Sequence, residues 1–246
     1  LKAGDRVLIH AAAGRVGLAA VQLAKRPGAE LFATAGSDEK RDYLRSLGIR
    51  HIFNSRSLEF AEQIRSVTDG RGVDLVLNSL AGDFIDASIS VVAHGGVFLE
   101  IGRTGIWTPE RVRATRPDID YHTIDLGKDY AATPEIIRPM LISLLDDVAS
   151  GRLQRPPLRT FALRDAAAAY RHMAQARHIG KLVLTQPWTA GGEAPQIRED
   201  ASYLITGGLT GLGLATAGWL VDPGARSLVL MGRRAPQTGA QKVLDT

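Results

Sequence analysis

Cysteine is missing from this 246-residue sequence, which excludes disulfide bonds and zinc sites built on thiolates. The six histidines include no HxxxH pair and no nearby carboxylate at ligand spacing, so we predict no metal site. The longest apolar runs, such as those around Val7–Ile9 and Val73–Leu77, are far shorter than the roughly 20 residues that span a bilayer. We therefore predict neither a membrane span nor a signal peptide.

Aromatic residues are also scarce, at 6% of the chain, and the net charge is only +4. Because the arginines are scattered and no predicted helix has a basic stripe, we exclude nucleic acid as a partner; an acidic protein partner stays possible. With 45% hydrophobic and 23% charged residues, the chain has the composition of a globular protein. It begins without methionine directly before a predicted strand, so we expect it to be part of a longer polypeptide.

The same strand, glycine loop, helix and second strand occur twice, 196 positions apart. The first copy contains Leu8-Ile9 and Gly17-Leu18-Ala19, and the second contains Leu204-Ile205 and Gly213-Leu214-Ala215. A strand that leads through a glycine-rich turn into a helix places free N–H groups and the positive end of the helix dipole where a pyrophosphate can bind. The repeat therefore predicts two nucleotide sites.

From Arg6 to about Val97, short apolar runs alternate with helical segments, as in a parallel sheet with crossover helices. We predict an α/β fold with a Rossmann-type doubly wound parallel sheet, followed by the start of a second Rossmann unit. The predicted strands are Val7–His10, Glu30–Ala35, His51–Asn54, Val73–Asn78, Gly96–Ile101, Ile119–Ile124, Leu158–Ala162 and Lys181–Thr185. Helices are expected near Val16, Ser37, Ser57 and Gly82, with both serines as N-caps.

Proline and glycine interrupt this pattern between Pro187 and Pro195, which is typical of a linker. We place a first domain at residues 1–187, the linker at 188–199 and a truncated second domain at 200–246. The last piece is too short to bury its own apolar surface.

The first glycine loop has the form GxGxxG with alanine in the first place. Gly14 lets the backbone approach a phosphate, and Gly17 lets the helix pack closely on the strand. The alternative is an ordinary glycine turn. Because the loop follows an apolar strand, opens a helix and is repeated, we predict that it binds a dinucleotide. The residues of this predicted site are Ala12, Ala13, Gly14, Arg15, Val16 and Gly17.

The end of the second strand indicates which dinucleotide binds. An acidic residue there would accept a hydrogen bond from the ribose 2′-OH of NAD, but this strand ends in Thr34-Ala35-Gly36-Ser37, and Lys40 and Arg41 follow. Small, hydroxylic and basic residues suit the 2′-phosphate of NADPH. We therefore predict that Thr34, Ser37 and Lys40 bind it, with a solvated helix face as the alternative for Lys40 and Arg41.

Asn78 and Ser79 end the fourth strand, where ligands bind in open α/β sheets. We assign them, with Gly102 at the end of the fifth strand, to the nicotinamide side of the site. The alternative for Asn78 and Ser79 is a turn that merely ends the strand.

The second loop has the form TGxxxGxG, which points to a different reductase lineage. Its second strand ends in Gly232-Arg233-Arg234, again without an acid, which favours NADPH once more. The residues predicted for this second site are Thr206, Gly207, Gly211, Gly213, Arg233 and Arg234.

Three stretches, Val7–Gly17, Gly72–Gly82 and Gln175–Lys181, resemble the enoylreductase domain of modular type I polyketide synthases. That family is a zinc-free branch of the medium-chain reductases. Residues 1–187 resemble its cofactor-binding half and its return to the substrate half. Residues 200–246 resemble the opening of the ketoreductase domain, a short-chain reductase that follows the enoylreductase in such synthases.

This resemblance implies that hydride passes from NADPH to the β-carbon of a trans-2-enoyl thioester on an acyl carrier protein, and that the α-carbon is then protonated. Family members usually have a lysine and, 22 residues later, an aspartate that are proposed to assist protonation. The matching catalytic positions here are Arg103 and Asp125. Arginine can stabilise negative charge, but its guanidinium holds its proton too tightly to be a good proton donor. A purely structural ion pair is the alternative.

The resemblance further implies a cytoplasmic, homodimeric parent synthase whose other domains and acyl carrier protein are the partners. It predicts that this segment alone is inactive, because both active sites would be incomplete. Two other interpretations stay open. A free-standing zinc-free quinone oxidoreductase would share the first loop but not the second, and a non-catalytic nucleotide-binding scaffold is compatible with arginine at position 103.

Overall fold

The structure is a computed structural model that describes residues 1–128, 133–186 and 196–233 and residue 241. The chain divides into two compact units, Leu1–Gln186 and Pro187–Thr246.

Among the described residues of the first unit, six parallel strands form one sheet in the order β3-β2-β1-β4-β5-β6. The order reverses between β1 and β4, and ligands of such sheets bind at the carboxyl ends of the strands beside this point. The elements are β1 Arg6–Ile9, α1 Arg15–Lys25, β2 Glu30–Ala35, α2 Asp38–Ser46, β3 His51–Asn54, α3 Phe60–Val67, β4 Val73–Asn78, α4 Asp83–Ile89, β5 Val92–Glu100, α5 Pro109–Thr115 and β6 Asp120–Thr123.

Strand β1 lies inside the sheet, and both of its faces are buried. Leu8 belongs to one apolar cluster, with Phe32, Phe60 and Phe98, whereas its neighbours Val7 and Ile9 belong to the cluster on the other face. Successive side chains of a strand point to opposite faces, so a strand covered on both sides must be apolar throughout. This explains the uninterrupted Val7–Ile9 run.

The predicted bounds of β2, β3 and β4 agree with the structure, whereas β5 begins at Val92 rather than Gly96. Its register against β4 shifts, because Val92 lies opposite Val73 but Val97 lies opposite Leu75. Gly95 adopts a φ of +71° within this irregularity. Gly95 and Gly96 therefore form a bulge within β5 and do not precede the strand.

The prediction that Ser57 caps α3 is wrong. The helix begins at Phe60 with Glu59 at the N-cap position, and the Ser57 hydroxyl instead accepts a hydrogen bond from the Glu59 amide at 3.2 Å. Ser37 does stand at the N-cap of α2, although its side chain forms no capping hydrogen bond with the described residues.

The rest of the first unit returns to the glycine loop. Gly180 donates a backbone hydrogen bond to the Ala13 carbonyl at 3.1 Å, and the Gln22 side chain exchanges hydrogen bonds of 3.0 and 2.7 Å with the Gln154 backbone. Strands β7 and β8 form a parallel pair. The elements are α6 Pro134–Ala149, β7 Leu158–Ala162, a 3₁₀ turn Leu163–Asp165, α7 Ala166–Ala174 and β8 Lys181–Thr185.

The second unit contains β9 Ser202–Thr206, α8 Gly211–Val221 and β10 Ser227–Met231. The two strands pair in parallel, as the repeat predicts. Among the described residues of both units, no helix is long and apolar enough to cross a membrane.

Candidate functional site

The glycine loop turns tightly between β1 and α1. Ala11 has a φ of +47°, and the Gly14 amide donates to the Ala11 carbonyl at 2.8 Å. Helix α1 then begins at Arg15, with Gly14 at its N-cap and no acidic residue in its first turn. The first-turn amides of a helix have no acceptor within it, so this end of α1 can bind an anion.

Gly17 sets how closely α1 approaches the loop. A Cβ atom at this position would lie 2.5 Å from Ala12 Cα and 2.7 Å from the Ala11 carbonyl oxygen, and both of these are backbone atoms that cannot move independently. Glycine is therefore required at position 17 by close packing.

The buried His10 supports the glycine loop through a chain of hydrogen bonds. His10 Nε2 lies 2.8 Å from Ser88 Oγ, which itself donates to the Phe84 carbonyl at 2.6 Å. Ser88 must therefore accept from His10, which places the proton on Nε2 and leaves Nδ1 to accept from Thr34 Oγ1 at 3.0 Å. Thr34 Oγ1 in turn accepts from the Ala11 amide at 3.2 Å. Burial lowers the pKa of His10 to about 3, so the ring is neutral.

A cleft of about 280 Å³ opens beside the glycine loop. Its walls come from that loop, the end of β2, the start of α2, the turn after β3 and the segment before β8. The lining residues are Ala11, Ala13, Gly14, Ala35, Gly36, Lys40, Ser55, Arg56, Ala176 and His178. Since Lys40, Arg56 and His178 are basic and none of these lining residues is acidic, the cleft suits an anion.

The basic side chains of the cleft repel one another. Burial lowers the pKa of Lys40, and the charge of Arg56 lowers it further. Burial also lowers the pKa of His178, with smaller effects from Lys40, His172 and Arg15. The Nδ1 atom of His178 is buried and has no hydrogen-bond partner among the described residues. An anionic ligand would offset this repulsion and supply an acceptor.

The carboxyl ends of β4 and β5 lie side by side at the switch point. Asn78 is the register partner of Glu100, and neither side chain is exposed. Asn78 Nδ2 donates to Glu100 Oε2 at 2.7 Å, and the Gly102 amide donates to Glu100 Oε1 at 2.6 Å. Ser79 is exposed. We call this region, residues 78–80 and 100–102, the mouth.

Arg103 and Asp125 lie next to each other beyond the mouth, with 3.8 Å between Arg103 Nη2 and Asp125 Oδ2. The Arg103 side chain is 83% exposed and the Asp125 side chain 33%. Exposed ion pairs contribute about 0–1 kcal/mol to stability. The Arg103–Asp125 pair therefore contributes little to stability, and the Arg103 guanidinium is accessible to a ligand.

The second glycine loop is equally tight. Gly207 has a φ of +72° and donates to the Met231 carbonyl at 2.7 Å, while a Cβ on Gly213 would lie 2.2 Å from the Gly207 carbonyl oxygen. Thr206, Gly211 and Arg233 are exposed. Arg234 lies outside the described residues.

The structure brings only some of the predicted cofactor residues into the cleft. Ala13, Gly14 and Lys40 line it, whereas Thr34 and Ser37 do not. The Thr34 side chain is fully buried, and its hydroxyl is already hydrogen bonded to His10 and to the Ala11 amide. The roles of Thr34 and Ser37 stay predictions, as do those of three other loop residues: Ala12, which is buried, and Arg15 and Val16, which are exposed.

Arg56 and His178 were missed by sequence reasoning. Arg41, the expected second cation, instead donates to the Ala35 carbonyl at 3.1 Å and to Asp38 Oδ1 at 2.5 Å. Its place beside Lys40 is taken by Arg56, which follows the neighbouring strand β3. The available signal was that parallel strands end at one edge of the sheet, so the residues after β2 and β3 are neighbours.

Two family models match the sequence. Residues 47–184 match the zinc-binding dehydrogenase family, and residues 201–246 match the KR domain family. The chain is also 42% identical, over 100% of its length, to a mycocerosic acid synthase-like polyketide synthase of Mycobacterium tuberculosis. It spans only 12% of that protein's length.

Several solved structures are similar to part of this chain. CurK enoyl reductase is 48% identical with a TM-score of 0.72, over 76% of this chain and 56% of that one. The nucleotide-binding subdomain of the enoylreductase domain of PpsC from Mycobacterium tuberculosis is 42% identical with a TM-score of 0.58, over 63% of this chain and 87% of that one. Escherichia coli quinone oxidoreductase complexed with NADPH is 25% identical with a TM-score of 0.65, over 75% of this chain and 58% of that one.

The first family name implies zinc, but the residues present do not fit that ion. The sequence has no cysteine, and the described residues include no group of three histidine, aspartate or glutamate side chains that could hold a metal. We derive no chemical step through zinc.

Proposed function

This chain belongs to the zinc-binding dehydrogenase family, among the enoylreductase domains of polyketide synthases, and from that membership we propose that it reduces trans-2-enoyl thioesters with NADPH. The thioester would be attached to an acyl carrier protein, and the chain would be one segment of a multidomain synthase. Residues 1–187 would form the enoylreductase part, residues 188–199 a linker and residues 200–246 the start of a ketoreductase.

The basic cleft is the observation that supports NADPH over NADH. A carboxylate at the end of β2 would favour the free 2′-OH of NADH, but the residues there are Ala35 and Gly36. A Cβ on Gly36 would lie 3.0 Å from Arg56 Nε, so glycine leaves space for Arg56 over the cleft. Together with Lys40 and the His178 Nδ1 atom, which has no hydrogen-bond partner in the described part of the chain, Arg56 fits a 2′-phosphate.

NADPH, when bound, would supply a hydride for the β-carbon of the enoyl group. The chain's own residues would bind and orient the reactants: the amides at the start of α1 would hold the pyrophosphate, and Asn78 and Gly102 would border the nicotinamide. Hydride addition would form a C–H bond at the β-carbon and break the π bond between the α- and β-carbons, and its electron pair would move toward the thioester oxygen as an enolate, where the Arg103 guanidinium can stabilise the negative charge. The proton for the α-carbon would come from water or from a residue outside this chain, because a guanidinium is a poor proton donor.

Helix α6 supports a protein partner for the first unit. Its exposed side chains include Ile136, Met140, Leu141 and Leu145, each more than half exposed, and contiguous exposed apolar surface marks an interaction site. We propose the other domains of the synthase and its acyl carrier protein as the partners, in a homodimer that acts in the cytoplasm.

The quinone oxidoreductase alternative has weaker support. Quinone oxidoreductases of known structure are 25% and 30% identical to this chain, against 48% for an enoyl reductase, and the KR match at residues 201–246 favours a synthase. A nucleotide-binding scaffold without catalysis differs from the proposal only in turnover, so an activity measurement separates the two.

The cofactor proposal is tested by titrating the chain with NADPH and NADH and following nicotinamide fluorescence. A charge-assisted hydrogen bond contributes about 1.5–3 kcal/mol, so Arg56→Ala should raise the NADPH dissociation constant roughly tenfold or more and leave that of NADH unchanged. Arg50→Ala is the matched control, because Arg50 lies before β3, at the opposite end of that strand. Equal affinity of the wild type for the two nucleotides, or equal weakening of both by Arg56→Ala, contradicts the proposal.

A further inference from the structure

Glu100 is a carboxylate in an unusual place. It ends β5 with no exposed surface, directly after the apolar residues Val97, Phe98 and Leu99. Buried carboxylates are rare unless they are paired or hydrogen bonded. None of the described residues forms an ion pair with Glu100, so hydrogen bonds alone must offset its burial.

Both oxygens of Glu100 accept hydrogen bonds, and each comes from a different segment of the mouth. Oε1 accepts from the Gly102 amide at 2.6 Å, and Oε2 accepts from Asn78 Nδ2 at 2.7 Å. Asn78 continues the connection, since its Nδ2 also donates to the Leu80 carbonyl at 2.9 Å and its Oδ1 accepts from the Leu80 amide at 3.1 Å. One carboxylate therefore ties together the segments that leave β4 and β5.

The backbone at Gly102 is built around this carboxylate. A Cβ on Gly102 would lie 2.7 Å from Glu100 Oε1 and 3.3 Å from Ile106 Cγ2. Without a side chain at 102, the amide can reach the oxygen. Glycine at this position is thus explained by the approach of Glu100.

The pattern of donors requires a carboxylate. Burial raises the pKa of Glu100, whereas the bonds from Asn78 and Gly102 lower it, as expected for donors that favour the charged form. Its charge also contributes, after burial, to a raised pKa of about 12 at Tyr121. An amide has one acceptor oxygen, so glutamine at 100 would satisfy one donor and oppose the other.

We propose that Glu100 is a positioning residue for hydride transfer, which fixes the mouth by holding the Asn78–Leu80 turn and the Gly102 amide in one arrangement. This inference rests on the proposed function, because the mouth is where the nicotinamide would react. Glu100 does not line the basic cleft, so it affects orientation at the mouth and leaves the anchoring of the 2′-phosphate intact.

The test compares wild type with Glu100→Gln. The matched control is Glu30→Gln, because Glu30 is half exposed and begins β2, at the edge of the sheet opposite to the mouth. Hydrogen exchange of the chain should show the Leu80 and Gly102 amides exchanging roughly tenfold faster in Glu100→Gln, with the Ala12 amide unchanged. In the synthase that contains this chain, kcat for enoyl thioester reduction should fall roughly tenfold or more, while the NADPH dissociation constant changes less than about threefold.

Gly102→Ala provides a second variant if Glu100→Gln does not fold. Its methyl group would clash with Glu100 Oε1, so the same loss of kcat and the same faster exchange of the Leu80 amide are expected. Unchanged exchange rates of the Leu80 and Gly102 amides would overturn the inference. Faster exchange of these amides together with a wild-type kcat would overturn it as well. Failure of wild type to bind NADPH refutes the proposed function instead, and the exchange measurement still decides whether Glu100 holds the mouth.

Discussion

His10 should make the stability of the first unit depend on pH in a way that a glutamine variant does not. Burial lowers its pKa to about 3 in the folded chain, whereas an unfolded histidine has a pKa of about 6.5. Between these values the unfolded chain binds a proton that the folded chain does not, so lowering the pH favours unfolding. The free energy of unfolding that His10 contributes should thus fall as pH drops from about 6.5 toward 3.

The size of this effect follows from the two pKa values. Between pH 7 and pH 5, protonation of His10 in the unfolded chain alone is equivalent to about 2 kcal/mol. In His10→Gln, the amide can still donate to Ser88 and accept from Thr34, but it does not titrate. The free energy lost between pH 7 and pH 5 should therefore be about 2 kcal/mol smaller in the variant than in wild type.

Native-state hydrogen exchange of the β1 amides measures this difference, because it reports the opening of the first unit separately from the second. Rates are corrected for the intrinsic pH dependence of exchange and compared at pH 7 and pH 5 in both proteins. Other histidines, including His178 with its lowered pKa, are common to both and cancel. A pH effect that is the same in both proteins within about 0.5 kcal/mol would refute the assignment of a neutral, buried His10.

Two further predictions concern the nucleotide loop and the residues beyond the mouth. Gly17→Ala should weaken NADPH binding at least roughly tenfold, because the new methyl group displaces the Ala12 backbone. Gly218→Ala is the control, because among the described residues nothing beyond its own stretch of helix lies within 4 Å of the new Cβ. Equal NADPH binding by wild type and both variants would contradict this reasoning. Arg103→Ala should lower kcat of the synthase roughly tenfold with NADPH binding unchanged, and an unaltered kcat would show that Arg103 only pairs with Asp125.

Sequence patterns located most strands because burial on both faces leaves a continuous apolar run with sharp ends. The bounds of β2, β3 and β4 follow from this. The start of β5 could not be located in this way, because Gly95 and Gly96 are typical of a turn but here form a bulge within the strand. Only the register against β4 distinguishes the two possibilities.

The cleft residues that the sequence predicted lie within the first strand–loop–helix–strand unit or, like Lys40, shortly after its second strand. Gly14 and Gly17 follow β1 directly, and their spacing is characteristic. Arg56 and His178 reach the cleft from the turn after β3 and the segment before β8, so their proximity to Lys40 depends on the tertiary fold. Glu100 did have a local signal: a single acidic residue at the end of a buried strand indicates a hydrogen-bonded carboxylate.

The most direct test of enoyl reduction follows the hydride itself in the multidomain synthase proposed for this chain. With a crotonyl thioester and NADPH deuterated at C4, deuterium is expected at the β-carbon of a butyryl product, with one NADPH oxidised per double bond reduced. Gly14→Asp, which puts a carboxylate at the pyrophosphate position while keeping a good helix N-cap, should abolish this product. NADPH oxidation without butyryl thioester, or undiminished product from Gly14→Asp, would contradict the account.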